Sequence, residues 1–185
     1  MTDAPELHRP IIAAELPNKG KFIKLEASAP ELLAIADRLG LVALNLFKGE
    51  LQLKPEIGRQ ISLSGPIRAE IVQNCVITGV PLTTTLDFEL NRMFSEDADP
   101  FAGLNTDDED EDIIDPEIDE PDPIIDGIID VGEQAVEELA LNIPPYPRAP
   151  GASISDIAPD LPSEELVENP FAALAALKDR IKSKD

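Results

Sequence analysis

Pro81-Leu82-Thr83-Thr84-Thr85-Leu86-Asp87-Phe88-Glu89-Leu90-Asn91-Arg92 is the stretch that decides the fold. Leu82, Thr84, Leu86, Phe88 and Leu90 alternate with Thr83, Thr85, Asp87 and Glu89. A period of two is the side-chain period of a β-strand. One apolar face and one polar face argue for an antiparallel sheet with a single buried side. Just upstream, Ile61, Leu63, Ile67, Ala69, Ile71 and Cys75/Val76 predict a long partner strand, bent at Gly65-Pro66. Residues 77–80, with Gly79, supply the turn between the two strands. Further upstream, Leu41, Ala43 and Leu53 bracket Leu44, Leu46 and Leu51, and Lys48-Gly49-Glu50 reads as the turn of a hairpin.

Helical spacing flanks this strand-rich centre. Ser28-Ala29-Pro30-Glu31 has the form of a capping box, with Ser28 as N-cap and Glu31 as its partner. Leu32, Ile35, Ala36 and Leu39 follow on one face, and Gly40 stops the helix. Asp130 and Glu133 form a second capping pair, and Val136, Leu139, Ala140 and Ile143 give the helix over 131–142 its apolar face. Pro144-Pro145-Tyr146-Pro147 ends that helix. Asn169-Pro170 starts a third, with Phe171, Leu174, Leu177 and Ile181 on one side. Lys178, Arg180, Lys182 and Lys184 lie near its end, where the helix dipole favours cations. Residues 8–14 suit a short edge strand, because Pro10 cannot donate to a central ladder. The expectation is an α+β protein. Its antiparallel sheet is formed mainly by residues 41–92 and covered by helices at 29–39, 131–142 and 170–182.

Charge is segregated along the chain. Of 37 acidic residues, 19 fall within residues 96–138, which contain no Lys or Arg. Residues 1–95 hold 11 acids against 10 bases and are nearly neutral. The formal net charge of -22 therefore belongs chiefly to one segment. Such a field repels a phosphate backbone and attracts basic proteins. Direct binding to naked RNA is thus not expected. Asp107-Asp108-Glu109-Asp110-Glu111-Asp112 cannot pack without neutralising partners, and Pro100, Pro116, Pro121 and Pro123 interrupt regular structure. Residues 95–123 are accordingly expected to form a flexible, disordered acidic insertion, and residues 148–168 an extended linker, within one domain over 1–185. No basic-apolar-small leader opens the chain and no apolar run approaches ~18 residues, so a cytoplasmic location is expected, with no membrane partner.

Three stretches carry a resemblance. Gln73-Asn74-Cys75-Val76-Ile77-Thr78-Gly79-Val80-Pro81-Leu82 resembles the cysteine-bearing hairpin of the YceD family of large-subunit ribosomal RNA accumulation proteins. The run from Ile129-Asp130-Val131-Gly132-Glu133 through Leu139-Ala140-Leu141 to Ile143-Pro144, continued by Tyr146-Pro147-Arg148, resembles that family's acidic-start helix and its exit. Asn169-Pro170-Phe171-Ala172-Ala173-Leu174-Ala175-Ala176-Leu177-Lys178 resembles its terminal signature. The resemblance covers most of residues 30–182 and implies a bacterial ribosome-biogenesis factor that supports accumulation or processing of 23S ribosomal RNA. The alternative is an acidic holding protein for basic ribosomal-protein clients. Some members of the family carry a second cysteine three residues on; here that position is Thr78. A metal or redox pair at this turn is therefore not supported.

The chemistry-bearing residues point the same way. Cys75 is the only cysteine, and a lone cysteine in an apolar strand is usually a small core residue. A structural zinc site commonly draws four ligands from Cys and His, and the chain has one of each. His8 lacks a nucleophile partner and is expected at the surface. GxSxG, P-loop and GxGxxG patterns do not occur, so no enzymatic activity, cofactor or small-molecule substrate is expected. Candidate partner-binding residues are Asp107, Asp108, Glu109, Asp110, Glu111 and Asp112 in the acidic run, Arg148 in the Pro-rich turn, and Phe171 and Lys178 in the terminal helix. The expected partner is a basic ribosomal protein or a pre-ribosomal particle.

Overall fold

A computed structural model describes residues 5–98 and 121–153. Its frame is a five-stranded sheet in the order β2 (Lys21–Glu26), β3 (Ala43–Pro55), β4 (Gln60–Asn74), β5 (Pro81–Ser95) and β6 (Asp122–Pro123). The first four strands are antiparallel neighbours, and β6 adds a two-residue parallel edge, Phe94 opposite Asp122. The sheet is open, with β2 and β6 at its edges, so among the described residues it does not close into a barrel. A separate two-stranded ribbon pairs β1 (Pro10–Ile12) with β7 (Ile128–Asp130), placing Pro10 on an edge strand. Helix α1 (Ala29–Arg38) packs on β3, and α2 (Val131–Asn142) packs on β5, β4 and β1.

The alternation in the sequence sets the two faces. Phe47, Leu51 and Leu53 of β3, Ile61, Leu63, Ile67, Ala69 and Ile71 of β4, and Leu90 and Phe94 of β5 are all buried. They meet Ile35 of α1 and Val131, Ala135, Val136 and Leu139 of α2 in one apolar cluster. The opposite face carries Lys24, Glu50, Arg68 and Asp87, all exposed.

The hairpin at Lys48-Gly49-Glu50 does not form. Residues 43–55 are one continuous strand, paired with β2 on one side and β4 on the other. Gly49 marks a close approach instead: a Cβ there would lie 3.0 Å from Pro66 O and 3.1 Å from Ile67 Cγ1. The real reversal comes at residues 56–59, where Gly58 and Arg59 take positive φ of 81° and 59°. β4 runs without a break in its ladder to β5, straight through Gly65-Pro66. Gly65 adopts φ +146°, and a Cβ there would sit 2.2 Å from Glu50 O. Its backbone and that of β3 nearly touch, so only glycine fits.

Both capped helices form as expected. The Ser28 N–H donates to Glu31 Oε2 at 2.7 Å, and Gly40 follows α1 with φ +64°. Asp130 Oδ1 accepts from the Gly132 N–H at 3.1 Å and the Glu133 N–H at 3.3 Å. Both ends of the stretch expected at 95–123 as a flexible acidic insertion belong to the sheet. Ser95 closes β5, and Asp122–Pro123 form β6. Residues 99–120, the helix expected at 170–182, and most of the linker expected at 148–168 lie outside the described residues.

Candidate functional site

Where β4 meets β5, the chain makes a compact turn that also receives the segment after α2. The Cys75 N–H donates to Val80 O at 2.8 Å, and the Gly79 N–H to Cys75 O at 2.9 Å. Gly79 takes φ +72°, which makes the reversal possible without strain. Two further bonds bring in the distant segment. The Val76 N–H donates to Pro147 O at 2.9 Å, and Gln73 Nε2 donates to Pro144 O at 3.1 Å.

Cys75 is buried, as expected, but stands outside the main apolar cluster. Its sulfur is an acceptor. The Thr78 N–H reaches it at 3.4 Å and the Ala149 N–H at 3.3 Å. Hydrogen bonding from Thr78, then from Ala149, pulls the thiol down to about 6. Cys75 therefore clasps the post-helix segment to the hairpin. Among the described residues, no group of three or more His, Cys, Asp or Glu side chains is placed to hold a metal ion.

The clasp fixes backbone on both sides of Arg148 while leaving its side chain outside. Arg148 is exposed, and among the described residues it makes no hydrogen bond or ion pair. Tyr146 beside it is 75% exposed, and Val76 and Val80 on the turn are 51% and 46% exposed. Every other described arginine is held by the chain's own carboxylates. Arg38 bonds Glu133 at 2.7 Å and Glu6 at 2.8 Å, and Arg68 grips Asp87 at 2.6 and 2.9 Å. Arg9 pairs with Glu31, Arg59 with Glu96, and Arg92 with Asp122.

A trough of about 560 Å³ is lined by residues of β2 to β5, including Lys24, Lys48, Glu50, Arg68, Asp87 and Glu89. Its charges alternate and largely neutralise one another, so it offers no field of one sign.

Of the residues expected to bind a partner, Arg148 is described and exposed. Asp107, Asp108, Glu109, Asp110, Glu111, Asp112, Phe171 and Lys178 lie outside the described residues. His8 is at the surface, its ring nitrogen Nδ1 against the Asp130 carboxylate. The sequence reading passed over Tyr146. The available signal was its position between two prolines, which suit neither a helix interior nor a central strand. Among the described residues, no helix is long and apolar enough to cross a membrane.

The clasp joins two of the three stretches that carried the resemblance. Comparisons with curated proteins and with solved structures give no match. A family model described as large ribosomal RNA subunit accumulation protein YceD matches residues 63–178, from within β4 through the clasp and beyond. That span is more than half of the chain, and the chain belongs to the YceD family.

Proposed function

We propose that this chain supports accumulation of 23S ribosomal RNA by binding, without catalysis, and that it works in the cytoplasm on a basic ribosomal protein or a pre-ribosomal particle. The family carries the role in large-subunit RNA accumulation. The mode of action rests on one observation, the segregation of charge: 19 carboxylates and no Lys or Arg in residues 96–138. A protein that grips RNA unaided releases counterions with several free cations. Here the described arginines before Arg148 are all spent on internal ion pairs. A basic protein, by contrast, is steered toward such a chain.

Removing the gene is expected to lower the ratio of large- to small-subunit RNA. An unchanged ratio with normal subunit profiles contradicts the proposal. The same charge pattern favours a second reading, in which the chain mainly holds basic ribosomal proteins in solution. Deleting residues 104–120, which stops short of β6, separates the two. Loss of client binding by a still-folded chain supports the holder; retained RNA accumulation without the segment supports a folded surface as the working part.

A further inference from the structure

Tyr146 is a large, exposed ring on backbone that is already immobilised. Pro145 and Pro147 fix their own φ angles on either side of it. The carbonyls of Pro144 and Pro147 accept from Gln73 Nε2 and the Val76 N–H, and the amide of Ala149, two residues on, is tied to Cys75 Sγ. The two bonded carbonyls bracket Pro145 and Tyr146, where the chain bends. Pro145 and Tyr146 are the exposed pair. Little ordering cost therefore remains when something covers the ring.

The neighbours give the chemistry of that cover. Val76 and Val80 on the turn are half-exposed, and the Val76 N–H bonds the carbonyl of Pro147, the residue after Tyr146. Arg148 is the only Lys or Arg among the described residues after Arg92, and it is unpaired. One cation is too few to hold a phosphate backbone, but it suffices to set the register of a protein contact. Tyr and Arg are also the residue types that dominate binding energy at protein interfaces.

We infer that the clasped turn is the anchor through which the chain docks on a basic protein of the large ribosomal subunit. Tyr146 enters an apolar pocket on that protein, and Arg148 meets a carboxylate on the pocket's rim. This assignment rests on the proposed function, since the basic character of the partner comes from the acidic segment. The two contacts are complementary: the acidic segment supplies long-range attraction and the tip supplies fit.

The test uses the chain's composition. It has one tyrosine and no tryptophan, so full-length protein made with 3-fluorotyrosine gives a single ¹⁹F signal, at position 146. The labelled chain is titrated with the salt-extracted protein fraction of large ribosomal subunits and, separately, with protein-free large-subunit RNA. Co-elution on gel filtration is followed in parallel. The expected result is co-elution with the protein fraction accompanied by a shifted or broadened signal. Tyr146→Ser then weakens binding about tenfold or more and Tyr146→Phe far less, because the ring supplies most of the contact. Arg148→Glu also weakens it. Melting temperatures equal to that of the unaltered chain show that the variants fold. Co-elution with an unmoved signal overturns the anchor and leaves the proposed function standing. A signal moved by RNA and not by the proteins overturns the anchor as a protein site. Failure of the unaltered chain to co-elute with the proteins removes both.

Discussion

Cys75 Sγ accepts the N–H of Ala149, a residue 74 positions further along the chain, at 3.3 Å. The Thr78 side chain most, then this Ala149 bond and the Thr78 N–H, lower the thiol from 9.0 to about 6. A depressed value means that the fold favours the thiolate. The resulting stabilisation is present above the ordinary thiol range and is lost as pH falls through about 6. Alkylation of Cys75 is expected to be slow, because the residue is only 3% exposed, with a pH profile centred near 6. A profile centred near 9.0 contradicts the clasp. Cys75→Ala is expected to lower the melting temperature, because it leaves the Thr78 and Ala149 N–H groups without their acceptor. It should also speed hydrogen exchange at the Ala149 amide without melting α2.

Gly132 lies in the first turn of α2 directly against the incoming N-terminal segment. A Cβ there would fall 2.0 Å from Leu7 O, a backbone atom that cannot swing aside. Gly132→Ala is expected to destabilise the protein by about 1–3 kcal/mol, as overpacking of a filled site does. Helix propensity alone predicts the opposite sign, a gain of up to about 1 kcal/mol. The thermal melt of this variant therefore decides which effect wins, and an unchanged or higher melting temperature refutes the packing described here.

Arg38 is shared between Glu6 and Glu133, and so ties α1 to both the N-terminal segment and α2. Glu6 is held below its usual carboxylate range by that contact. The side chains are partly exposed, at 37% for Arg38 and 22% for Glu133, so the network contributes modestly. Arg38→Lys loses the forked contact with Glu133 and is expected to cost about 1 kcal/mol, less at high salt. A salt-independent loss would mean that packing of the arginine stem, not its charge, carries the effect.

Arg9 hydrogen-bonds Glu31 and, with Ser28, holds its carboxyl down at about 2 from an ordinary 4.5. Its contribution is complete above 4.5 and disappears as pH falls through about 2. Glu31→Gln should therefore narrow the stability gap between neutral and acidic solution. Urea melts along a pH series check this, and identical pH dependence in the two proteins would contradict it.

The strand alternation of residues 81–92 and both capping pairs were legible because they are local: period, cap and stop signal lie within a few residues of one another. The misread positions were those where glycine serves a distant neighbour. Gly49 reads as a turn residue until Pro66 and Ile67 are seen against it. β2 was overlooked because Lys21-Phe22-Ile23-Lys24-Leu25-Glu26 offers only Ile23 and Leu25 to the core, and its partner lies in β3. At the candidate site, the motif stretches were visible but their meeting was not. Spacing cannot announce that a cysteine sulfur receives an amide 74 residues away. Tyr146 was hidden for a related reason, since its rigidity comes from the hairpin to which it is stapled.

Whether this chain seeks basic protein or nucleic acid is tested most directly by its binding to protein-free large-subunit RNA and to large-subunit ribosomal proteins, each measured over a range of salt concentrations. The account predicts salt-sensitive binding to the proteins, lost on deleting residues 104–120, and no measurable binding to the RNA at about 0.15 M salt. Tight, salt-sensitive binding of the isolated chain to the RNA alone would contradict it.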